Sequence, residues 1–446
     1  GPAVLELVRE EKQWCRRQTA AAMPLTLDEL EDIRSEHFAD DLPIDLARMS
    51  LWSAADASQF FESGGTIAPQ PPKRRFPPVA PRKTAQEPMR SMADFEKVHL
   101  EVRAGDTYGL EFPFSAEMLK DERRWGSRWL TDAFRKSGAI AADNAVRLEE
   151  VVDFVGGGAA SKAVLTVSYA KPDASLHTRL FAKMPHVVER KREKYLNAVV
   201  YKSDGPEVTF AQKFASAAPV RCAQTYFADR NEATTNYILI TECLEYASAE
   251  EHPRGDDGRP LPPMRIQRAH NKFQDHHLGT DPSEYYFVLV RKLGRLGGWY
   301  KGSDEVARSL NAAVPTNYPE DNRVASGGAM AAMQLNTFEE FVTKCAPKLF
   351  PAEVSHAAYM ARWRVQFEHI ARLAPRLQKH LGSDPDYMAA GHWNLNIDNA
   401  FWWRDESGAL DCGLIDWANF QIQEVSQTLD LCLFSAGWAV MEGHTR

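Results

Sequence analysis

Apolar positions along the chain recur in two rhythms that change over at definite points. Between residues 4 and 60 the spacing is helical. Leu5, Val8 and Trp14 are followed by Leu27, Leu30 and Ile33, and Thr26 is placed as an N-cap before Leu27-Asp28-Glu29. From about Gly64 to Arg90 the periodicity stops. Pro69, Pro71, Pro72, Pro77, Pro78, Pro81 and Pro88 alternate there with Lys73, Arg74, Arg75, Arg82 and Lys83. That composition predicts a strap of polyproline character with neither helix nor interior strand. A helical stretch, Trp125 to Phe134, leads into strand signals at Leu148 to Val155, Ala163 to Tyr169 and Leu180 to Met184. A short helix over Pro206 to Ser216 and an apolar strand over Tyr237 to Cys243 come next. Glu245 to Pro282, charged and rich in Pro, His and Gly, reads as a loop. Long helices are predicted at Glu284 to Tyr300, Thr337 to Lys344 and Ala352 to Leu381. The chain thus divides into a helical extension (1–63), a Pro/basic linker (64–92), a β-rich lobe with preceding helices (93–244) and an α-rich lobe (245–446), an α+β class.

Composition narrows the partners more than the fold. The 446 residues are 44% apolar and 26% charged, as in an ordinary globular protein. Lys+Arg of 53 against Asp+Glu of 61 leaves a net charge of −8, which speaks against a broad footprint for nucleic acid or anionic lipid. Mean hydropathy is −0.42. The longest apolar candidate, Leu429 to Met441, is interrupted by Cys432, Ser435 and Gly437 and is too short to span a bilayer. Cys15, Cys222, Cys243, Cys345, Cys412 and Cys432 show no C-x-x-C spacing, which argues against a disulfide framework and a structural zinc site. A reducing, cytoplasmic location is expected, while the opening Gly1-Pro2, without an initiator Met, leaves a removed targeting segment open.

The chemistry concentrates near the end. Gly391-His392-Trp393-Asn394-Leu395-Asn396-Ile397-Asp398-Asn399 is followed, seventeen residues after Asn399, by Leu414-Ile415-Asp416-Trp417. An Asn carbonyl and an Asp carboxylate delivered from adjacent loops are hard oxygen ligands suited to a cation on nucleotide phosphates. Phe401-Trp402-Trp403 and Gly413-Leu414-Ile415 read as short strands that would fix them.

In this order the residues resemble the aminoglycoside phosphotransferase and choline kinase-like superfamily, distant relatives of protein kinases. That family has a His-Gly-Asp-x-x-x-x-Asn loop and an Ile-Asp-Trp or Ile-Asp-Phe metal segment. The resemblance reaches back through the β-rich lobe and covers about Trp125 to Trp438. It implies a protein-kinase-like two-lobed fold preceded by an N-terminal helical extension. It implies that Gly156, Gly157 and Gly158 cover the phosphates of ATP (or GTP). Lys183 would grip the α- and β-phosphates, oriented by Glu207 on the next helix. Ile240 to Leu244, with Glu242 and Leu244, would read the base through backbone groups. Asn399 and Asp416 would hold Mg²⁺, and His392 would brace the loop.

Three departures qualify it. The family's catalytic Asp is Asn394 here, and a neutral amide cannot serve as a general base, a loss typically worth ~10²–10⁴-fold in rate. Asp398 is the neighbouring carboxylate that could substitute. Trp393 stands where the family has Gly, crowding the loop or filling the acceptor pocket. Only thirty residues follow Asp416, fewer than related folds carry. Two functional readings stay open. One is phosphotransfer from ATP to a small-molecule hydroxyl of unknown identity, with the acidic run Glu250, Glu251, Asp256 and Asp257 available to a cationic acceptor. The other is a pseudokinase, a nucleotide- or protein-binding scaffold whose N-terminal helices and proline strap dock a protein partner.

Overall fold

The computed structural model describes residues 91–246 (157, 159, 201 and 203 excepted), 264–268, 278, 282–314, 335–350, 352–369, 385–436 (406 excepted) and 440. These all fall within one compact unit inside Arg74–Arg446. The helices expected before residue 60, the proline strap, Gly157 and the acidic run at 250–257 lie outside the described residues.

Two short helices, α1 (Met92–Val98) and α2 (Ala116–Lys120), each start at a serine whose hydroxyl accepts an N–H of the first turn. Helix α3 (Gly126–Ser137) buries Trp129, Leu130, Ala133 and Phe134 along one stripe. It stops at Gly138, which takes the left-handed conformation (φ 78°) that a side chain would oppose. The stripe lies on a five-stranded antiparallel sheet. Its strands are β1 (Val146–Asp153), β2 (Ser161–Tyr169), β3 (Arg179–Met184), β5 (Thr225–Arg230) and β6 (Tyr237–Glu242), in the order β1-β2-β3-β6-β5. Alternation along β2 and β3 sends Ala163, Leu165, Val167, Leu180, Ala182 and Met184 into this first core, with Phe112, Phe134 and Ile240. The other face carries Lys162, Val164, Phe181 and Lys183. Helix α4 (Asp204–Lys213) connects β3 to β5 through the two-residue strand β4 (Arg221–Cys222).

The second core belongs to the later half. Helix α5 (Ser283–Gly302) repeats Tyr285, Leu289, Leu293, Leu296 and Tyr300 every three or four residues, and all five are buried. Helix α6 (Asp304–Ala313) packs behind it, capped by Ser303. Strand β7 (Met264–Arg268) joins β9 (Ala400–Arg404) and β10 (Leu410–Leu414) in the order β4-β10-β9-β7, and β8 (Met388–His392) pairs with β11 (Phe420–Glu424). Helix α7 (Val425–Leu433) follows directly. The expected α+β division into a strand-rich first half and a later half around long helices is therefore present.

Two local expectations change. The stretch read as a loop over Glu245 to Pro282 contains β7, a fourth strand that the hairpin β9–β10 recruits by edge pairing. The helix expected from Ala352 starts at residue 357, because 352–356 form turns. Among the described residues no helix is long and apolar enough to cross a membrane.

Candidate active site

Lys183, near the end of β3, is the focus. Its Nζ lies 2.6 Å from Glu207 Oε2 on α4 and 3.0 Å from Asp416 Oδ1 beyond β10. Lysine and Glu207 side chains are 8% and 7% exposed, and Asp416 keeps 34%. Burial alone would lower the lysine pKa, but Asp416 and Glu207 outweigh it and hold the ammonium above its ordinary range. The Lys183 charge holds Asp416 below the usual carboxylate range. Burial raises Glu207 despite the same lysine. One cation is thus shared by two carboxylates, the glutamate from beneath and the aspartate from the more open side.

Glu207 reaches the lysine because α4 is seated on the later half of the chain. Phe210, one turn on, stacks on Trp417 with ring centroids 3.8 Å apart and planes 13° apart, and Phe420 closes the group at 4.7 Å. The residue that positions one carboxylate is thus next in sequence to the other.

The seventeen-residue spacing between Asn399 and Asp416 is a hairpin. Ala400 pairs with Leu414, so the residues just before β9 and just after β10 emerge side by side, and Ile415 N–H donates to the Asn399 carbonyl at 3.0 Å. Asp416 itself adopts a left-handed conformation (φ 64°, ψ 59°), which costs about 1–2 kcal/mol for a residue with a Cβ and is least unfavourable for Asp or Asn. His392 locks this turn. Its buried ring donates from Nε2 to the Ile415 carbonyl at 2.9 Å and lies edge-on to Trp417. Burial lowers its pKa, which keeps the ring neutral. Gly391 precedes it for a packing reason: a Cβ there would stand 2.5 Å from Thr428 Oγ1 on α7.

Between His392 and Asn399 the loop is held by amides. Asn396 Nδ2 donates to Asn394 Oδ1 at 2.7 Å, and Asn399 Nδ2 donates to the Asn394 carbonyl at 2.6 Å. The Asn394 amide oxygen is therefore already engaged. Trp393 and Asp398 are half-buried beside it, Asp398 within a 3-10 turn over Ile397–Asn399.

The structure brings together Lys183, Glu207 and Asp416, and ties His392, Asn394 and Asn399 to them through Ile415. Gly156 and Gly158 lie in the turn between β1 and β2 of the same sheet as Lys183. Glu242 is placed differently. Its carboxylate turns to the core face, 3.0 Å from His177 Nε2 and accepting from Gln224 N–H, so its side chain does not join the cluster. Leu244 follows β6, half-buried. Beside the cluster, Val152, Val164 and Phe181 lie in register on one face of the sheet, Phe154 packs edge-on against Phe181, and Val155 is 97% exposed. This is an apolar surface open to a flat ligand. Sequence reasoning missed Lys162, Asn396 and the Phe210–Trp417 stack. The only signal for the first was that it alternates onto the open face of β2.

No family model and no curated protein matches this chain. Among solved structures it is similar to the GDP complex of wild-type aminoglycoside 2'-phosphotransferase-IIIa, at 12% identity over 71% of this chain and 82% of that one, with a TM-score of 0.33. The GDP and kanamycin complex of the APH(2'')-IIIa enzyme gives 12% identity over 70% and 80%, with a TM-score of 0.34. An aminoglycoside-3'-phosphotransferase of type VIII gives 15% over 69% and 83%, with a TM-score of 0.26. At these identities and TM-scores the likeness carries no argument, and the site stands on its own geometry.

Proposed function

We propose that this chain is a kinase-like phosphotransferase that binds a nucleoside triphosphate with a divalent cation and passes its γ-phosphoryl group to a small-molecule hydroxyl. The observation that supports this reading is the buried Lys183 shared between Glu207 and Asp416. A lysine held rigid and charged by two carboxylates suits phosphate oxygens, and phosphoryl transfer depends chiefly on such positioning and electrostatics. The base would rest on the apolar strip of Val152, Val164 and Phe181, with backbone groups near Glu242 and Leu244 along its edge, and the Gly156–Gly158 turn would lie over the phosphates.

The donor set fits magnesium. Among the described residues no group of three or more His, Cys, Asp or Glu could hold a metal alone. Asp416 and the Asn399 amide oxygen offer two hard ligands, as expected of an ion that takes the rest of its shell from phosphates and water. The hydrogen bond from Asn399 Nδ2 to Asn394 fixes which way that oxygen points. When bound, the ion would neutralise phosphate charge. His392 keeps the Asp416 turn in shape, and Asn394 would orient the acceptor hydroxyl by donating from its amide nitrogen.

The second reading, nucleotide binding without transfer, draws support from Asn394. It cannot take a proton, and its oxygen already accepts from Asn396. Incubation with Mg·ATP decides between them: thermal stabilisation with ADP release supports transfer, stabilisation without turnover supports a binding module, and neither overturns both.

A further inference from the structure

Lys162 takes no part in the assignments above, yet it lies directly across from Lys183 in the β2–β3 register. Cross-strand partners project from the same face of a sheet. Ala163, Leu165 and Val167 occupy the core face of β2, so Lys162 shares the open face with Val164 and with Lys183 of β3. Its Nζ donates to the carbonyls of Gly156, at 2.8 Å, and Ala160, at 3.1 Å, both in the β1–β2 turn.

Both partners are neutral. Among the described residues no carboxylate comes within ion-pair distance of this half-buried ammonium. Burial, then the Lys183 charge, lowers its pKa, while Asp416 and Glu207 oppose. Lys162 therefore sits within the field of the cluster but lacks an anion of its own. His186, just beyond β3 and 5% exposed, is hydrogen-bonded to the backbone of Gly158 in the same turn, so the turn is braced from both sides and Lys162 is its cation. A second ammonium without a carboxylate of its own, on the strand beside the lysine that Glu207 orients, forms the kind of surface a polyphosphate satisfies.

We propose that Lys162 is a second phosphate-binding residue, whose ammonium contacts the polyphosphate of the bound nucleotide beside Lys183. This rests on the nucleotide reading above and deepens it. The opposing view makes Lys162 only a clamp on the turn.

Lys162→Gln separates the two, because a glutamine amide can still donate to the turn carbonyls but carries no charge. Affinities of the full chain for Mg·ATP, Mg·tripolyphosphate and adenosine would be titrated, with melting temperature as the folding control. Lys162→Gln should weaken ATP and tripolyphosphate about tenfold or more, the worth of one charge-assisted hydrogen bond, and leave adenosine unchanged. Lys162→Arg should recover most of the loss. Equal losses for ATP and adenosine, or no loss for either, would overturn the proposal in favour of the clamp. If wild type binds ATP, loses it in Lys183→Ala and keeps it in Lys162→Gln, this inference fails alone. If wild type binds neither ATP nor tripolyphosphate, the nucleotide reading fails and takes this one with it.

Discussion

Two arrangements meet at Asp416, one made of charges and the other of amides. Toward the sheet, Lys183, Glu207 and Asp416 form a cluster of one cation and two anions, with the lysine and the glutamate almost fully buried. Toward the 392–399 loop, Asn394, Asn396 and Asn399 hold one another with neutral hydrogen bonds. The first arrangement is costly to bury unless a ligand uses it, because desolvating ions costs several kcal/mol each before pairing. The second costs little, and it holds its shape without any group able to accept a proton. On the proposed function, binding and transfer are thus separable: the end assigned to the nucleotide keeps its charges, while the end assigned to the acceptor keeps only its geometry.

Removing the shared cation should abolish the nucleotide response outright. A ligand at a hundredfold excess over its Kd stabilises a protein by about 2.7 kcal/mol. We expect Mg·ATP to raise the wild-type melting temperature accordingly, and the rise to vanish in Lys183→Ala and in Asp416→Ala. The same nucleotide-dependent shift in both variants would remove the cluster from the nucleotide site.

The seat of α4 comes next. Trp417 is buried between Phe210, His392 and Phe420. Trp417→Ala should cost about 3–5 kcal/mol in urea denaturation, the usual range for a buried aromatic truncated to Ala. Glu207 is placed by the same contact, so the nucleotide-dependent shift should shrink as well. A stability loss with a full nucleotide shift would mean that α4 finds its place without Trp417.

How much of this was legible beforehand depends on range. Strands of β-branched and apolar residues, such as Tyr237–Glu242, and the periodic helix α5 declare themselves within a window of ten or twenty residues. The spacing between Asn399 and Asp416 is local in the same way, since two short apolar runs around it form the β9–β10 hairpin. What was not legible depends on pairing across the chain. β7 is polar in part and becomes a strand only by edge pairing with β9. Phe210 and Trp417 are more than two hundred residues apart, and no local pattern announces a stack. The Glu242 side chain is a similar case: strand parity, through its pairing with core-facing Leu180, sends it to the core face and leaves only its backbone groups at the edge expected to read the base.

A titration probes the charged arrangement from beneath. Asp204 opens α4 one turn before Glu207, and burial pushes its carboxyl up to about 7. In the unfolded chain it titrates near ~3.9. The folded state therefore binds more protons between these values, so stability falls as pH rises from about 4 to 7. Burial brings the nearby Lys194 down to about 8, above that window. Asp204→Asn should remove this slope. Its stability relative to wild type should grow between pH 4.5 and 7.5, with an upper figure of ~4 kcal/mol at ~1.4 kcal/mol per pKa unit. Denaturation curves that stay parallel across the range would show that Asp204 is not held protonated.

The last test addresses the neutral arrangement. If the 392–399 loop keeps productive geometry, Asn394→Asp supplies the missing base, and ADP release should rise about 10²-fold, equivalent to about 2.7 kcal/mol of barrier. Asn396 Nδ2, now bonded to the Asn394 amide oxygen, would donate to the new carboxylate and hold it in place. The gain should appear in kcat with little change in the apparent KM for ATP, because the base acts on the acceptor proton and not on the nucleotide. Water serves as acceptor in this assay, so both rates will be slow and the ratio is the readout. Trp393→Gly with Asn394→Asp separates a blocked pocket from a missing base. Turnover that appears only in the double variant would make the indole the obstacle. Turnover absent from both, with nucleotide binding intact, would mark the loop as a scaffold whose amides are its final state. High turnover in the unaltered chain would mean that the acceptor proton leaves by a route that needs no carboxylate at 394.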